Sequence, residues 1–254
     1  MNILISNDDG IDFKGLRTLC EVFSEIGTVY VVAPEGERSS NSHHLTIKGR
    51  VRYEQRDVPY AQKAYAVWGT PADCVHMAMH YFFKEKFDLV VSGINKGANV
   101  STDIIYSGTI AAAREAFINH VPAMALSLDS FTSDDYRTAA KRGRKIALKY
   151  LKAKDNTEYF LNVNVPCLSE EKIKGIRICD HVGELVYNDI YSHVKEDGKD
   201  YIAIGASNIV YKGDEEDERI DVISLAQGYV TISPLGNDHI YDDYVNDVKE
   251  VFDM

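Results

Sequence analysis

Residues 1–10 read MNILISNDDG, an apolar run followed by Asn7, Asp8, Asp9 and Gly10. A run this short, bounded by turn-forming residues, predicts a buried strand, and Gly10 permits the tight bend that follows it. Ligands of open α/β sheets lie outside the carboxyl ends of the strands. The stretch therefore predicts the first strand of such a sheet, with acidic side chains at the edge where ligands bind.

The adjacent carboxylates of Asp8 and Asp9 admit two interpretations. Neighbouring carboxylates repel each other, and each is costly to remove from water, unless protons or a cation neutralise them. A hard divalent metal ion is therefore one explanation. An Asx-type turn or a helix N-cap is the other, since Asn and Asp are common in both. On residues 7–10 alone, we favour the turn.

Around this stretch, short apolar runs alternate with helical patterns as far as Pro166. Such alternation is typical of βα units that build a mostly parallel sheet. We therefore expect an α/β fold with a Rossmann-like, mostly parallel sheet flanked by helices. Strands are predicted at residues 1–6, 28–33, 65–68, 87–92, 123–128 and 159–165, and helices at residues 14–26, 72–83, 109–119 and 136–151.

Beyond Pro166 the pattern changes to strand-like runs separated by charged turns, which predicts a mixed β extension. The strand candidates are residues 175–179, 201–204 and 228–233, the candidate hairpin tips or loops are residues 195–199 and 213–219, and a terminal helix is predicted at residues 241–252. We expect one domain over residues 1–254, made of an α/β core (1–166) and the extension with the C-terminal segment (167–254).

The composition is that of a globular protein, since 45% of the 254 residues are hydrophobic and 26% are charged. The formal net charge of −11 argues against nucleic-acid polymers and anionic membranes as partners, because clustered Lys and Arg bind those. A small anionic substrate is compatible with this charge if a metal ion reverses the local field. The four cysteines form no CxxC pair. No basic n-region followed by an apolar h-region opens the sequence, and no apolar stretch reaches about 18 residues. We expect reduced, mostly structural thiols and a cytoplasmic protein.

Polar, glycine-containing segments follow three of the predicted strands, and the topology would bring them to one edge of the sheet. They are residues 7–10, residues 34–44, and residues 92–99 with the helix start at 107–109. Together they supply the carboxylates of Asp8 and Asp9, a serine hydroxyl, and an amide oxygen from Asn95 or Asn99. An oxygen-rich set of this kind predicts Mg²⁺ or Mn²⁺ rather than zinc, which prefers thiolates and imidazoles.

The helix start Ser107-Gly108-Thr109 would add backbone N–H groups and a favourable dipole for an oxyanion. Simple N-capping is the alternative explanation, and the two are compatible. A metal ion beside such a helix terminus would suit a phosphate group.

Two pairs of histidines require an interpretation. His43 and His44 lie in the second polar segment, where a histidine serves as readily as a hydrogen-bonding loop residue as it does as a catalyst. His76 and His80 are one helical turn apart, but no third metal ligand accompanies them. We assign the second pair to packing or to the surface.

With these segments identified, the chain resembles the survival protein E (SurE) family of metal-dependent 5'/3'-nucleotidases. The resemblance covers most of the chain and rests on motifs that occur in the family's order. They are residues 3–10 (ILISNDDG), 14–16 (KGL), 32–34 (VAP), 37–39 (ERS), 69–75 (GTPADCV), 88–97 (DLVVSGINKG), Asn99, 107–109 (SGT), 162–166 (NVNVP) and 228–235 (GYVTISPL). The sequence departs from the family at Cys167, where an acidic residue is usual, and around residues 41–44.

The resemblance implies one divalent metal ion per subunit, Mg²⁺ or Mn²⁺. Its ligands would be Asp8, Asp9, Ser39 and Asn95, in agreement with the oxygen donors nominated from the residues themselves. The phosphate pocket would be formed by Asn7, Gly10, Asn99, Ser107, Gly108 and Thr109, and the catalytic residues would be Asp8, Asp9 and His43. The resemblance also implies a homodimer or homotetramer in which part of the later β region and the C-terminal segment are exchanged between subunits.

The activity that the resemblance implies is hydrolysis of nucleoside 5'- and 3'-monophosphates by a water that the metal ion activates, with short polyphosphate as a side substrate. His43 is the candidate general acid, and water is the alternative. A covalent phosphoryl acceptor at Asp8 or Asp9 is disfavoured, since both carboxylates are assigned to the metal. The alternative from another class is a non-catalytic nucleotide or phosphate sensor. The adjacent carboxylates of Asp8 and Asp9 argue against a sensor, because a site that only binds an anion would use Arg, Lys and backbone N–H groups.

Overall fold

The structure, a computed structural model, describes residues 1–181, 183–188, 190–205, 208–214 and 216–237. Its strands form one large central sheet and two small two-stranded sheets. In chain order they are β1 (Asn2–Ser6), β2 (Thr28–Pro34), β3 (Tyr53–Arg56), β4 (Ala61–Val67), β5 (Leu89–Lys96), β6 (Ala123–Asp129), β7 (Phe160–Pro166), β8 (Ile176–Ile178), β9 (Glu184–Asn188), β10 (Tyr191–Glu196), β11 (Lys199–Ile204), β12 (Asn208–Lys212) and β13 (Val230–Leu235).

The strands of the central sheet stand in the order β3-β4-β2-β1-β5-β6-β7-β13-β8. Those from β4 to β7 run parallel, whereas β3 and β13 pair antiparallel with β4 and β7. From β1 the chain builds outward to β2 and β4, then returns to place β5 on the other side of β1. This reversal opens a crevice at the carboxyl ends of β1 and β5, where open α/β sheets bind ligands. The predicted α/β fold with a mostly parallel sheet is confirmed.

Helices cover both faces of this sheet. They are α1 (Lys14–Phe23), α2 (Pro71–Met77), α3 (Asp103–Tyr106), α4 (Gly108–Ile118), α5 (Arg137–Tyr150) and α6 (Asp221–Ala226). In α1 the buried Leu16, Leu19 and Phe23 recur at helical spacing. α1 and α5 pack on one face of the sheet, and α2 and α4 pack on the other. Burial on both faces explains why the central strands are continuous apolar runs.

The first 166 residues follow the predicted order of elements, with three differences. The pattern predicts no strand at β3, because Tyr53–Arg56 is largely exposed and has no apolar face. The loop predicted after residue 92 instead contains the end of β5 and the short helix α3. The helix predicted at residues 72–83 divides into α2 and a π-helical turn at Ala78–Phe82.

The mixed β extension is present in the described residues beyond Pro166. β8 and β13 extend the central sheet, β10 and β11 form an antiparallel hairpin, and β9 pairs antiparallel with β12. The hairpin turn at residues 197–198 falls within the tip predicted at residues 195–199. The pattern does not predict α6, which is only six residues long. The terminal helix predicted at residues 241–252 lies outside the described residues.

All four cysteines are free, and Cys20, Cys74 and Cys179 are buried whereas Cys167 is exposed. Burial raises the pKa of the Cys20 thiol to about 12, which keeps this thiol in its unreactive protonated form. Among the helices within the described ranges, none is both long enough and apolar enough to cross a bilayer.

Candidate active site

A cavity of about 730 Å³ opens at the crevice beyond the carboxyl ends of β1 and β5. This volume lies in the range of pockets that enclose small organic ligands. All four predicted metal ligands line it, together with Asn99 and Ser107. The lining residues are Asp8, Asp9, Glu37, Ser39, Ser40, Asn95, Lys96, Ala98, Asn99, Asp103, Tyr106, Ser107, Phe131 and Tyr187.

Asp8 is buried against the N-terminus of α4. Thr109 Oγ1 donates a hydrogen bond to Asp8 Oδ1 at 2.5 Å, and a Cβ at Gly108 would come within 2.9 Å of Asp8 Oδ2. Burial raises the pKa of Asp8, and the hydrogen bond from Thr109 offsets part of that rise. Gly108 and Thr109, which are not among the described residues that line the cavity, therefore support Asp8 from the helix. Their predicted phosphate contacts stay a prediction.

Asp9 follows on the same turn, with a partly exposed side chain. Burial and then the charge of Asp8 raise the pKa of Asp9 to about 7. Its Oδ2 atom is buried and meets no hydrogen-bond donor among the described residues. A buried carboxylate oxygen without a partner is unfavourable. The acidic pair therefore favours the uptake of a proton or a cation near neutral pH.

Asn95 and Ser39 present oxygen atoms to the same cavity. Asn95 Nδ2 donates to the Gly97 carbonyl oxygen at 2.9 Å, so Oδ1 is the amide atom left for a cation. Ser39 Oγ donates to Glu37 Oε1 at 2.7 Å, which leaves the lone pairs of the hydroxyl for a ligand. Within the described ranges, no three His, Cys, Asp or Glu side chains form a metal site, so a cation here depends on these neutral oxygens. Two carboxylates with amide and hydroxyl oxygens fit Mg²⁺ or Mn²⁺.

Lys96 adds a positive charge to this acidic wall, and the sequence analysis does not nominate it. It lines the cavity next to Asn95. Against the rise caused by burial, the backbone N–H and the ammonium of Lys96 lower the pKa of Asp9. An ammonium is a compact point charge that can pair with an anionic substrate. Its position directly after a nominated metal ligand is the signal that could have identified it.

Asn7 and Gly10 shape the turn that carries the acidic pair. Asn7 Oδ1 accepts a hydrogen bond from Gly10 N at 3.2 Å, and Asn7 Nδ2 donates to Gly10 O at 2.9 Å. Gly10 has a φ of +107°, and a Cβ there would lie 3.1 Å from the Gly36 Cα, so glycine is required. Both residues lie outside the described set that lines the cavity. Their role in phosphate binding stays a prediction.

Ser107 is the N-cap of α4. Its Oγ accepts a hydrogen bond from Ile110 N at 3.1 Å, which confirms the helix start predicted at residues 107–109. Because Ser107 also lines the cavity, the positive end of an eleven-residue helix borders it. Asn99 enters the wall from the loop between β5 and α3. These two are the predicted phosphate-binding residues that line the cavity.

His43 lies outside the described residues that line the cavity. Its Nε2 is 2.9 Å from Glu115 Oε2, and His76 Nδ1 is 2.8 Å from Oε1 of the same carboxylate. Burial raises the pKa of Glu115, but the hydrogen bonds from both histidines outweigh it and hold the pKa below its usual value. His80 contacts the His76 ring and bonds to Asn119. This network braces the segment after β2 against α2 and α4, and the general-acid role of His43 stays a prediction.

Three aromatic side chains at the rim are missed by the sequence analysis. Phe131, Tyr106 and Tyr187 line the cavity and are 72%, 54% and 38% exposed. Tyr187 donates a hydrogen bond to Asp103. Exposed rings beside a polar cavity offer surface on which a planar group can stack. Tyr106 stands directly before the nominated Ser107, but no local pattern distinguishes a rim aromatic from an ordinary surface one.

The family model described as survival protein SurE matches residues 3–188. The 5'-nucleotidase SurE of Clostridium botulinum strain ATCC 19397 (type A) is 37% identical over 257 aligned residues, which cover 99% of each chain. The protein of the same name from strain Alaska E43 (type E3) is 40% identical over 262 aligned residues, which cover 100% of each. The crystal structure of the SurE protein from Aquifex aeolicus is similar, with a TM-score of 0.83 and 32% identity. That match covers 99% of this chain and 100% of the other.

Proposed function

Because the chain belongs to the SurE family, we propose that it hydrolyses nucleoside 5'- and 3'-monophosphates to nucleoside and phosphate. The observation that carries the proposal is the acidic pair in the cavity, where Asp9 Oδ2 meets no donor among the described residues and Asp8 packs on the N-terminus of α4. An acidic pair that favours a cation, beside a helix terminus that favours an anion, suits a metal-assisted reaction of a phosphate ester. The names of the two Clostridium botulinum relatives support this reaction class.

The cation of this proposal is one Mg²⁺ or Mn²⁺ per subunit, held by Asp8, Asp9, Ser39 and Asn95. When bound, such an ion supplies Lewis-acid activation of the ester and of an attacking water. Asp8 and Asp9 are the charged ligands among these four. Ser39 and Asn95 add oxygen donors without further charge, which keeps the site compatible with an anionic substrate.

We assign phosphoryl binding to Ser107, Asn99 and Lys96. The first turn of α4 begins at Ser107, and its N–H groups and dipole attract an oxyanion. Asn99 and Lys96 line the same cavity and offer an amide and an ammonium group. Donors fixed before the reaction stabilise the charge that develops on the phosphoryl oxygens during transfer.

The nucleoside part of the substrate is assigned to the aromatic rim. A cavity of about 730 Å³ is larger than a phosphate group requires, and Tyr106, Phe131 and Tyr187 surround its opening. Stacking of a base on an aromatic ring is worth about 1–3 kcal/mol in proteins that bind single-stranded nucleic acid. Short polyphosphate would bind through the phosphoryl contacts alone, so we propose it as the weaker substrate.

The leaving alkoxide must gain a proton, and we assign that proton to water rather than to His43. His43 Nε2 is engaged with Glu115 at 2.9 Å, outside the described lining of the cavity. Its proposed task is to brace the segment that carries Ser39.

The proposed assembly is a homodimer or homotetramer that exchanges parts of the β extension. Ile190, Ile202 and Ile204 are 66%, 72% and 68% exposed on and beside the β10–β11 hairpin. Exposed apolar surface of this kind marks an interaction site. Light scattering after size exclusion tests the assembly, and a mass of 28.5 kDa, that of one chain, would contradict it.

Phosphate release from 5'- and 3'-nucleoside monophosphates tests the activity. Metal-stripped protein in EDTA should be inactive, and Mg²⁺ or Mn²⁺ should restore hydrolysis. Asp8→Asn and Asp9→Asn should each lower kcat by a factor on the order of 10² or more while circular dichroism shows a retained fold. Full activity in EDTA would overturn the metal role, and nucleotide binding without any turnover would favour the sensor.

A further inference from the structure

Two asparagines interrupt an apolar face of β7. Side chains alternate along a strand, so Phe160, Asn162 and Asn164 share one face, and Phe160 belongs to the apolar cluster beneath α2 and α4. Both asparagines are 0% exposed. Burying an amide is unfavourable unless its polar atoms are hydrogen bonded, so apolar packing does not explain the pair.

Both asparagine side chains bind the backbone of Asn99. Asn164 Oδ1 accepts a hydrogen bond from Asn99 N at 2.8 Å, and Asn164 Nδ2 donates to Asn99 O at 3.0 Å. Asn162 Nδ2 donates to the same carbonyl oxygen at 2.8 Å. The two side-chain amides therefore satisfy the backbone N–H and C=O of Asn99, as the backbone of a neighbouring strand would. They fix the backbone of this loop residue.

Ser127 holds the side chain of Asn99. Asn99 Nδ2 donates a hydrogen bond to Ser127 Oγ at 2.8 Å, and Ser127 stands beside Asn164 in the register of β6 and β7. The Nδ2 group carries two hydrogens, so Ser127 uses one of them, and the second hydrogen and Oδ1 are left for the cavity.

We propose that Asn162, Asn164 and Ser127 are positioning residues for Asn99. The asparagine pair fixes its backbone, and the Ser127 hydroxyl accepts one Nδ2 hydrogen of its amide, which leaves the second hydrogen for a phosphoryl oxygen. The proposal rests on the proposed function, since it deepens the assignment of Asn99 to phosphoryl binding. None of the three is among the described residues that line the cavity, so they act through Asn99.

The same loop has a second anchor at Ser101. Asp221 Oδ2 accepts a hydrogen bond from Ser101 N at 2.9 Å, and Asp221 Oδ1 accepts one from Ser101 Oγ at 2.9 Å. Both residues are buried. Because this anchor does not involve β7, removing one asparagine side chain should displace Asn99 without releasing the whole loop.

Asn164→Ala tests the proposal, with Thr231→Val as its matched control. Thr231 is 0% exposed beside Asn164 in the β7–β13 register, and its Oγ1 meets no partner in the described part of the chain. Calorimetry would give the Kd of Mn²⁺ alone and the Kd of inorganic phosphate for the Mn²⁺-loaded protein. We expect Asn164→Ala to weaken phosphate binding about tenfold or more and to change the Mn²⁺ Kd less than about twofold. Thr231→Val should change neither.

Ser127→Ala is the second variant, and it decides the question if Asn164→Ala does not fold. We expect it to weaken phosphate binding about three- to tenfold with the Mn²⁺ Kd unchanged. The proposal is overturned if the folded variants bind phosphate as tightly as Thr231→Val does. It is also overturned if phosphate and Mn²⁺ affinities fall by the same factor, which is the result of a purely structural role. A wild-type protein that binds phosphate but hydrolyses no nucleotide would contradict the proposed function alone, since the calorimetric comparison needs no turnover.

Discussion

Replacing Asp9 by asparagine should stabilise the metal-free protein above neutral pH. Burial and the charge of Asp8 raise the pKa of Asp9 from 3.8 to about 7. Because a pKa difference of one corresponds to about 1.36 kcal/mol, keeping this carboxylate ionised in the folded protein costs about 4 kcal/mol. Since the side chain is partly exposed, solvent screening lowers the cost, and we expect about 2–4 kcal/mol. Asparagine keeps the shape without the charge, so Asp9→Asn should recover this free energy.

The sign of the pH dependence follows from proton linkage. The folded pKa of Asp9 lies above the unfolded value of 3.8, so the folded state binds more protons between about pH 4 and pH 7 and its stability falls as the pH rises through that window. The gain in the free energy of unfolding of Asp9→Asn over the wild type should therefore be near zero at about pH 4. It should grow between about pH 4 and pH 7 and level off above about pH 7. Metal should reverse the order, because an ion at 1,000 times its Kd adds about 4.1 kcal/mol to the wild type, at least as much as Asp9→Asn gains.

Urea unfolding in EDTA at several pH values measures these free energies, and a parallel series with Mn²⁺ measures the reversal. Asp12→Asn is the control, since Asp12 is an exposed carboxylate whose bridge to Arg17 lies on the surface. It should change the stability by less than about 0.5 kcal/mol at every pH. The reasoning is refuted if Asp9→Asn gains no stability over the wild type in EDTA at about pH 8, or if its gain does not vary with pH.

Gly108→Ala should lower the free energy of unfolding by about 1–3 kcal/mol and reduce kcat/KM, because its Cβ would meet Asp8 Oδ2 at 2.9 Å. If Gly108→Ala keeps the wild-type free energy of unfolding and kcat/KM, Asp8 has room to move away from the new Cβ and the prediction is wrong. His43→Gln should lower kcat less than about tenfold and keep the shape of the pH–rate profile, whereas a loss of about a hundredfold with one limb missing would restore the general-acid role. Glu115→Gln should lower the free energy of unfolding in urea by about 1–3 kcal/mol, because it weakens the hydrogen bonds of the buried carboxylate to two histidines. An unchanged free energy of unfolding would contradict the bracing role. Tyr106→Ala should raise the KM for a nucleoside monophosphate about fivefold or more but not the KM for glycerol phosphate, which has no base. Equal changes for both substrates would place Tyr106 at the phosphoryl site instead.

The position of the acidic pair could be predicted because it depends on local pattern and on topology. The apolar run at residues 1–6 forms β1, and the carboxyl ends of parallel strands meet at one edge, so Asp8 and Asn95 meet in one cavity. The residues alone predict a serine ligand without specifying which one, and the family resemblance identifies it as Ser39. It reaches the same cavity because β2 stands next to β1.

The roles of individual atoms could not be predicted, because they depend on partners distant in the sequence. His43 meets Glu115, which is 72 positions away, and the backbone N–H of Asn99 meets Asn164, which is 65 positions away. Asn7 has a residue type suited to phosphate, yet the turn uses both of its polar atoms. A motif therefore identifies the chemistry of a side chain, whereas tertiary contacts decide which of its atoms remain for a ligand.

Asp8, Ser39 and Asn95 follow or end β1, β2 and β5, which are neighbours in the sheet but far apart in the sequence. Parallel pairing over such separations closes long loops and makes folding slow. The proposed set of ligands is complete only when the centre of the sheet has formed, so an ion bound there would stabilise contacts that are made late. Stabilisation of late contacts slows unfolding much more than it speeds folding. The metal would thus extend the lifetime of the native protein rather than help it to form.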